Sequence, residues 1–129
     1  MAFILKPTNG DKVTINAWNW RPTLELLHSA SLIDDDLYER MGTFGREAIV
    51  DADTALRMAD FLDQRLKYLK PGERIRADLS VTAKPKKPLV ITPGTKMDQI
   101  DVVETYSATY EWLVEFRDFL RMSGGFEVF

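Results

Sequence analysis

The spacing of hydrophobic positions along the chain predicts short strands that alternate with amphipathic helices. Residues 13–17 alternate between apolar and polar side chains, which is the period-two pattern of a half-buried strand. The following run, from about 21 to 33, has apolar residues at helical spacing and contains Pro22, which suits the first turn of a helix. The aspartates at 34–36 precede another short helical turn, and one of them can cap its first N–H groups.

The longest predicted helix runs from about residue 53 to Leu69 and follows a short strand at 47–50. Asp51 or Asp53 is placed to cap its beginning, and Pro71 with the next glycine ends it. A stripe of apolar residues at helical spacing should bury one face. This stripe consists of Ala55, Ala59, Leu62, Leu66 and Leu69.

The remaining pattern predicts a hairpin, an aromatic helix and a last strand. Residues 74–82 alternate as a strand, and 89–91 supply a return strand. Ser107 can cap a helix over about 108–122, and 126–129 follow as a terminal strand. The sequence therefore predicts an α+β fold with three main helices on a small, mostly antiparallel sheet and an inserted basic β-hairpin.

Length and composition restrict the class of protein. A chain of 129 residues fits a single domain over 1–129, and its 45% hydrophobic and 29% charged residues are typical of a globular domain. The absence of Cys excludes disulfides, thiolate zinc sites and Cys nucleophiles. No stretch approaches the roughly 18 apolar residues of a membrane span, and the first residues do not resemble a signal peptide. We therefore expect a cytoplasmic protein with no membrane partner.

The net charge of −3 conceals three charged blocks. Residues 34–63 hold 3 basic and 9 acidic residues, 64–96 hold 9 and 2, and 97–129 hold 2 and 7. The basic block either lies beside the acidic helices of the same chain or is offered to an anionic partner. Its basic residues are accompanied by one aromatic, Tyr68, which argues against nucleic acid.

Candidate catalytic and metal residues are few. His28 is the only histidine, so an HExxH helix and a two-His metal triad are excluded, and its place near a helix end favours a capping or surface role. The aspartates at 34–36 lack the spacing of a calcium loop, and the glycines at 42 and 45 lack the Gly-Lys-Ser/Thr ending of a phosphate loop. We assign no catalytic residue, no metal ligand and no cofactor.

Aromatic residues are the more informative candidates. Residues 106–129 contain seven aromatics, so the last helix is apolar on most of its circumference. Such a helix is either central in the fold or completed by a partner, and the same alternatives apply to the tryptophans at 18 and 20. The candidate partner contacts are Trp18, Trp20, Tyr110, Trp112, Lys84, Lys86 and Lys87.

Three motifs resemble a loose family of small bacterial domains of uncharacterised function. They are the Trp-Asn-Trp-Arg-Pro start of a helix within 16–27, the Asp-Ala opening of a long helix within 42–69, and the Ser-Gly-Gly-Phe ending within 112–128. The resemblance implies a shared fold and carries over no functional residue. The basic segment of about 73–100 is an insertion relative to this pattern.

These observations favour a non-catalytic protein-binding domain, immunity-like or regulatory, with a protein partner. The analogy to toxin-neutralising immunity proteins rests on size and acidic charge. Two alternatives stay open. One is a homo-oligomeric accessory or structural protein with the aromatic helix as its interface. The other is a small-molecule-binding or enzymatic domain with a pocket where tryptophan, histidine or tyrosine meets a carboxylate.

Overall fold

A computed structural model describes residues 2–83 and 106–129. Within them lie four helices and seven strands, which form two antiparallel sheets. The α+β prediction is therefore confirmed, with two sheets in place of one. The elements are β1 (Ala2–Pro7), β2 (Val13–Asn16), α1 (Ala17–Ser29), α2 (Asp35–Met41), β3 (Ala48–Val50), α3 (Ala52–Leu66), β4 (Arg74–Arg76), β5 (Val81–Thr82), β6 (Ser107–Thr109), α4 (Tyr110–Ser123) and β7 (Phe126–Val128).

The main sheet has the strand order β2-β1-β7-β3. Its centre joins the two ends of the described chain, because β1 pairs antiparallel with β7. Along that pair Lys6 lies opposite Glu127, and the backbones of Ile4 and Phe129 exchange two hydrogen bonds of 3.1 and 2.9 Å. The terminal strand was predicted, whereas β1 was not.

The main sheet buries only one of its faces. Side chains alternate across a strand, and every second residue of the sheet is buried in the core. Aromatic side chains of the helices pack onto this inner face. The ring centroids of Phe3 and Trp20 lie 6.2 Å apart, and those of Phe119 and Phe126 lie 5.4 Å apart. The inner face consists of Phe3, Leu5, Ile15, Ala48, Val50, Phe126 and Val128.

The small sheet has the order β5-β4-β6 and corrects the predicted strand over 74–82. That strand breaks into a tight hairpin, with Arg74 opposite Thr82 across it. The carboxylate of Asp78 accepts hydrogen bonds from the N–H and hydroxyl of Ser80 at 3.0 and 2.6 Å, which stabilises the turn. The predicted return strand at 89–91 lies outside the described residues.

Helix α1 begins earlier than predicted. The Asn16 side chain caps it by accepting a 3.0 Å hydrogen bond from the Asn19 N–H, so Pro22 lies in the second turn and not at the start. Proline lacks an N–H for the carbonyl of Trp18, and the helix tolerates this near its beginning. It ends at Ser29, within the predicted limit of Ile33.

Aspartates cap the next two helices as predicted. Asp34 accepts a 2.8 Å hydrogen bond from the Leu37 N–H at the start of α2, and Asp51 accepts one of 2.7 Å from the Thr54 N–H at the start of α3. Hydrogen bonds from the Thr54 backbone and side chain hold the pKa of Asp51 below its usual value. Helix α3 buries its predicted stripe but ends at Leu66, three residues before the predicted end.

Helix α4 packs along α3, and its predicted cap is wrong. Thr109 and not Ser107 caps it, by accepting a 3.2 Å hydrogen bond from the Trp112 N–H. Ser107 is buried in β6, opposite Arg76 of β4. Asp63 on α3 pairs with two arginines of α4, at 3.0 Å from Arg117 and in direct contact with Arg121.

Candidate functional site

Two of the predicted partner contacts lie in the core. Trp20 is 0% exposed and Trp112 is 5% exposed. The indole N–H of Trp20 donates a 2.9 Å hydrogen bond to the Met41 carbonyl, and that of Trp112 donates one of 2.9 Å to the Thr23 hydroxyl. Their polar atoms are satisfied inside the fold, so a partner reaches neither ring while the domain stays folded.

The other two aromatic candidates are half-buried. Trp18 packs on Tyr106 with ring centroids 4.6 Å apart, where α1 begins beside the small sheet. Tyr110 lies in the first turn of α4. Both keep part of their surface accessible, so their role as contacts stays a prediction. Lys84, Lys86 and Lys87 lie outside the described residues, and their role stays a prediction too.

The aromatic character of α4 comes from its central position. Phe116 contacts Trp112 at 5.3 Å and Trp20 at 5.5 Å between ring centroids, and it meets Phe126 of the main sheet at 6.3 Å. The helix therefore packs against α1, α3 and the sheet at once. Of the two explanations for an aromatic helix, central burial accounts for these rings.

A polar cleft between α1 and α2 brings together the residues with the most capacity for chemistry. The His28 Nε2 atom lies 2.7 Å from a carboxylate oxygen of Asp35, and the His28 ring stacks on Tyr38 at 4.4 Å. The Tyr38 hydroxyl donates a hydrogen bond to Glu25. Beside it, a cavity of about 220 Å³ is bordered by Arg21 and Glu25.

This arrangement fits a helix–helix connection better than a catalytic centre. The hydrogen bond to Glu25, together with burial, raises the pKa of Tyr38 to about 12, which keeps the phenol neutral. The cavity beside Tyr38 is smaller than the roughly 300–1,000 Å³ usual for ligand sites, and the cleft beside His28 and Asp35, of about 330 Å³, is at the low end of that range. No group of three or more His, Asp or Glu side chains within 2–83 and 106–129 is arranged to hold a metal ion.

The outer face of the main sheet is the most distinctive surface of the described part of the chain. It carries the alternate residues of the strands, those that point away from the helices. No described element covers it. We use the name outer face for the surface formed by Ile4, Lys6, Thr14, Ile49, Glu127 and Phe129.

Large apolar side chains occupy the middle and one edge of the outer face. Ile4 is 38% exposed, Phe129 is 41% exposed and Ile49 is 64% exposed. Lys6 and Glu127 lie beside one another on the central strands, so the face carries one charge of each sign there. Beyond Ile49 the surface continues into a groove of about 360 Å³ between the sheet and the start of α3. Exposed apolar side chains beside polar and charged ones are typical of an interaction surface.

Sequence reasoning missed this surface, although one signal pointed to it. Phe126 to Phe129 was predicted as a strand, and its alternation puts Glu127 and Phe129 on the same side. The corresponding strand β1 went unnoticed because Ile4 is apolar like its inward neighbours. Because Ile4 breaks the alternation of apolar and polar residues, the sequence pattern indicated neither strand β1 nor the outer face.

Comparisons with protein-family models, curated proteins and solved structures found no match to this chain. The resemblance seen in the sequence motifs therefore brings no function with it. Among the described residues, no helix combines the length and hydropathy needed to cross a bilayer.

Proposed function

We propose that this chain is a non-catalytic protein-binding domain and that its outer face is the docking surface. The observation that carries the proposal is a sheet whose described helices all lie on one side, with three large apolar side chains exposed on the other. Burying Ile4, Ile49 and Phe129 against a partner would remove this apolar area from water, which favours association.

The chemistry of the outer face favours a protein over other partners. Lys6 and Glu127 give it charges of both signs, whereas a nucleic-acid surface needs an excess of positive charge. Two of its apolar side chains, Ile4 and Phe129, lie outside the groove at its edge, whose volume of about 360 Å³ is at the low end of the range for ligand sites. Apolar residues within a polar surround match the composition of protein interfaces.

A domain of this kind acts by binding to a surface of another protein, as immunity-like and regulatory domains do. We propose a cytoplasmic location for it. A large partner would also contact residues outside the outer face. The candidates are the half-buried Trp18 and Tyr110 and the lysines Lys84, Lys86 and Lys87. The alternative of a small-molecule or catalytic domain would use His28 and Asp35. It has less support because the Asp35 side chain is 98% exposed, so the cleft of about 330 Å³ beside it does not enclose the carboxylate.

Position-specific crosslinking tests the proposal. A photoreactive amino acid replaces Ile49, and a second variant carries it in place of Met122 on α4, which is 72% exposed and serves as the matched control. Both proteins are irradiated in cells of the native host. We expect a discrete adduct larger than the 14.8 kDa chain from position 49 and none from position 122.

The second part of the experiment adds Phe129→Glu to the variant with the crosslinker at 49. We expect the adduct to disappear, because a carboxylate in the apolar centre opposes burial. Equal melting temperatures of the variants show that the fold is kept. The proposal is wrong if position 49 yields no adduct, or if positions 49 and 122 yield the same ones.

A further inference from the structure

We propose that the partner on the outer face is a second copy of this chain. The inference rests on the proposed function and names its partner. It differs from an interface on α4, because α4 is central in the fold and its aromatic rings are already buried. The argument uses the two central strands of the main sheet, β1 and β7, and the order of their outward side chains.

The outward residues of the central strands form two rows across the sheet. In one row Ile4 of β1 stands beside Phe129, with which it exchanges backbone hydrogen bonds of 3.1 and 2.9 Å. In the next row Lys6 of β1 stands beside Glu127 of β7. Each row thus has one member on each strand, an apolar pair in the first and an opposite-charge pair in the second.

The rows of one copy are complementary to the rows of a second copy that is related to it by a two-fold axis. This axis is parallel to the strands and lies midway between β1 and β7. Such an axis places a second sheet face to face with the first and exchanges the two strands, so β1 of one copy lies over β7 of the other. Ile4 of each copy then meets Phe129 of its partner, and Lys6 meets Glu127 of its partner. One operation satisfies the apolar and the charged row together.

The dimensions of the face place the proposed dimer among the small, reversible interfaces. With four strands about 4.8 Å apart and two rows of outward residues about 7 Å apart along them, the face measures about 19 by 14 Å, or about 270 Å² in projection. A stable interface buries about 800 Å² on each partner, so this one belongs to the small class. We expect a reversible dimer with a dissociation constant between about 10 μM and about 1 mM.

Charge reversal gives a sharp test with the intact chain. In Lys6→Glu both charged contacts across the interface become Glu against Glu127, and in Glu127→Lys both become Lys against Lys6. Both contacts of the symmetric dimer turn repulsive, so we expect each variant to weaken self-association by at least about tenfold. The measurement is sedimentation equilibrium over a concentration series, with melting temperatures recorded for each protein.

An equimolar mixture of Lys6→Glu and Glu127→Lys should associate again. In the mixed pair one chain carries two acids and the other two bases, so both contacts become attractive. Mixing cannot relieve the repulsion between neighbouring strands within either chain. Recovery therefore reports contacts between chains only. Lys67→Glu changes an exposed charge at the end of α3, outside the face, and should leave association unchanged.

Each outcome decides between the proposals. A wild-type chain that stays monomeric at about 1 mM overturns the second copy as partner, and so does a dimer whose association ignores both reversals or is not recovered by mixing. If crosslinking at position 49 then gives an adduct with a different protein, the protein-binding function stands with another occupant. If no adduct forms either, both proposals fail.

Discussion

Trp20→Ala is expected to lower the free energy of unfolding by about 3–5 kcal/mol. The ring is 0% exposed and packs 5.5 Å from Phe116 and 6.2 Å from Phe3 between ring centroids. Its removal leaves a cavity and leaves the carbonyl of Met41, which accepts the indole hydrogen bond, without that donor. Since small domains have about 5–15 kcal/mol of stability, the variant is close to unfolding. Urea denaturation measures the loss.

Trp18→Ala is the matched control, because it removes the same side chain from the same helix at a half-buried position. There the ring loses its packing on Tyr106, and we expect a cost below about 2 kcal/mol. If the two variants lost equal stability, or if Trp20→Ala cost less than about 1 kcal/mol, the central position of Trp20 would be refuted.

The second large effect is expected from Gly125→Ala, at about 2–5 kcal/mol. Gly125 has a φ of 99°, which L-residues avoid, and a Cβ there would lie 2.9 Å from the Val50 carbonyl oxygen and 3.1 Å from the Ala52 nitrogen. These are backbone atoms where β3 meets α3, and they cannot move without loosening the pairing of β3 with β7.

Gly124→Ala tests whether the cost at Gly125 comes from backbone contact. Gly124 also has a positive φ, of 67°, but its nearest neighbour is the flexible Asn9 side chain. We expect about 1 kcal/mol there, the cost of the left-handed conformation alone. Thermal melting of both variants checks the difference, and a Gly125→Ala protein as stable as Gly124→Ala would contradict the close approach.

The parts of the fold predicted from sequence are those with local signals. Asp34 and Asp51 were expected to cap helices, and both do so through a side-chain oxygen three residues before the N–H that it accepts. The long stripe of α3 is buried as its spacing indicates. Capping and amphipathic spacing depend on residues within a turn or two, so the sequence displays them directly.

The predictions are wrong where contacts between distant parts of the chain determine the local structure. Ser107 and Thr109 are both good caps, and Thr109 takes that role because residues 107–109 pair with β4. Asn16 starts α1 early because β2 ends there, against β1. Burial likewise separates Trp20 from Trp18, which have the same side chain two positions apart. None of these outcomes is visible in local spacing.

The candidate site could not be found from residue type. Sequence reasoning selected tryptophans for their size, and the largest rings went to the core because they bury the most apolar area. The outer face instead uses Ile4, Ile49 and Phe129, which become a single surface only when β1, β3 and β7 assemble. The outer face exists only because of the order of the strands in the sheet, and the spacing of apolar residues does not predict that order.

A dilution series monitored by amide NMR shifts tests the central claim, that the outer face mediates association with a second copy of the chain. We expect concentration-dependent shifts at Ile4, Lys6, Ile49, Glu127 and Phe129, and none around Met122 on α4. Shifts that cluster on α4, or spectra that do not change with concentration, would contradict self-association through this face.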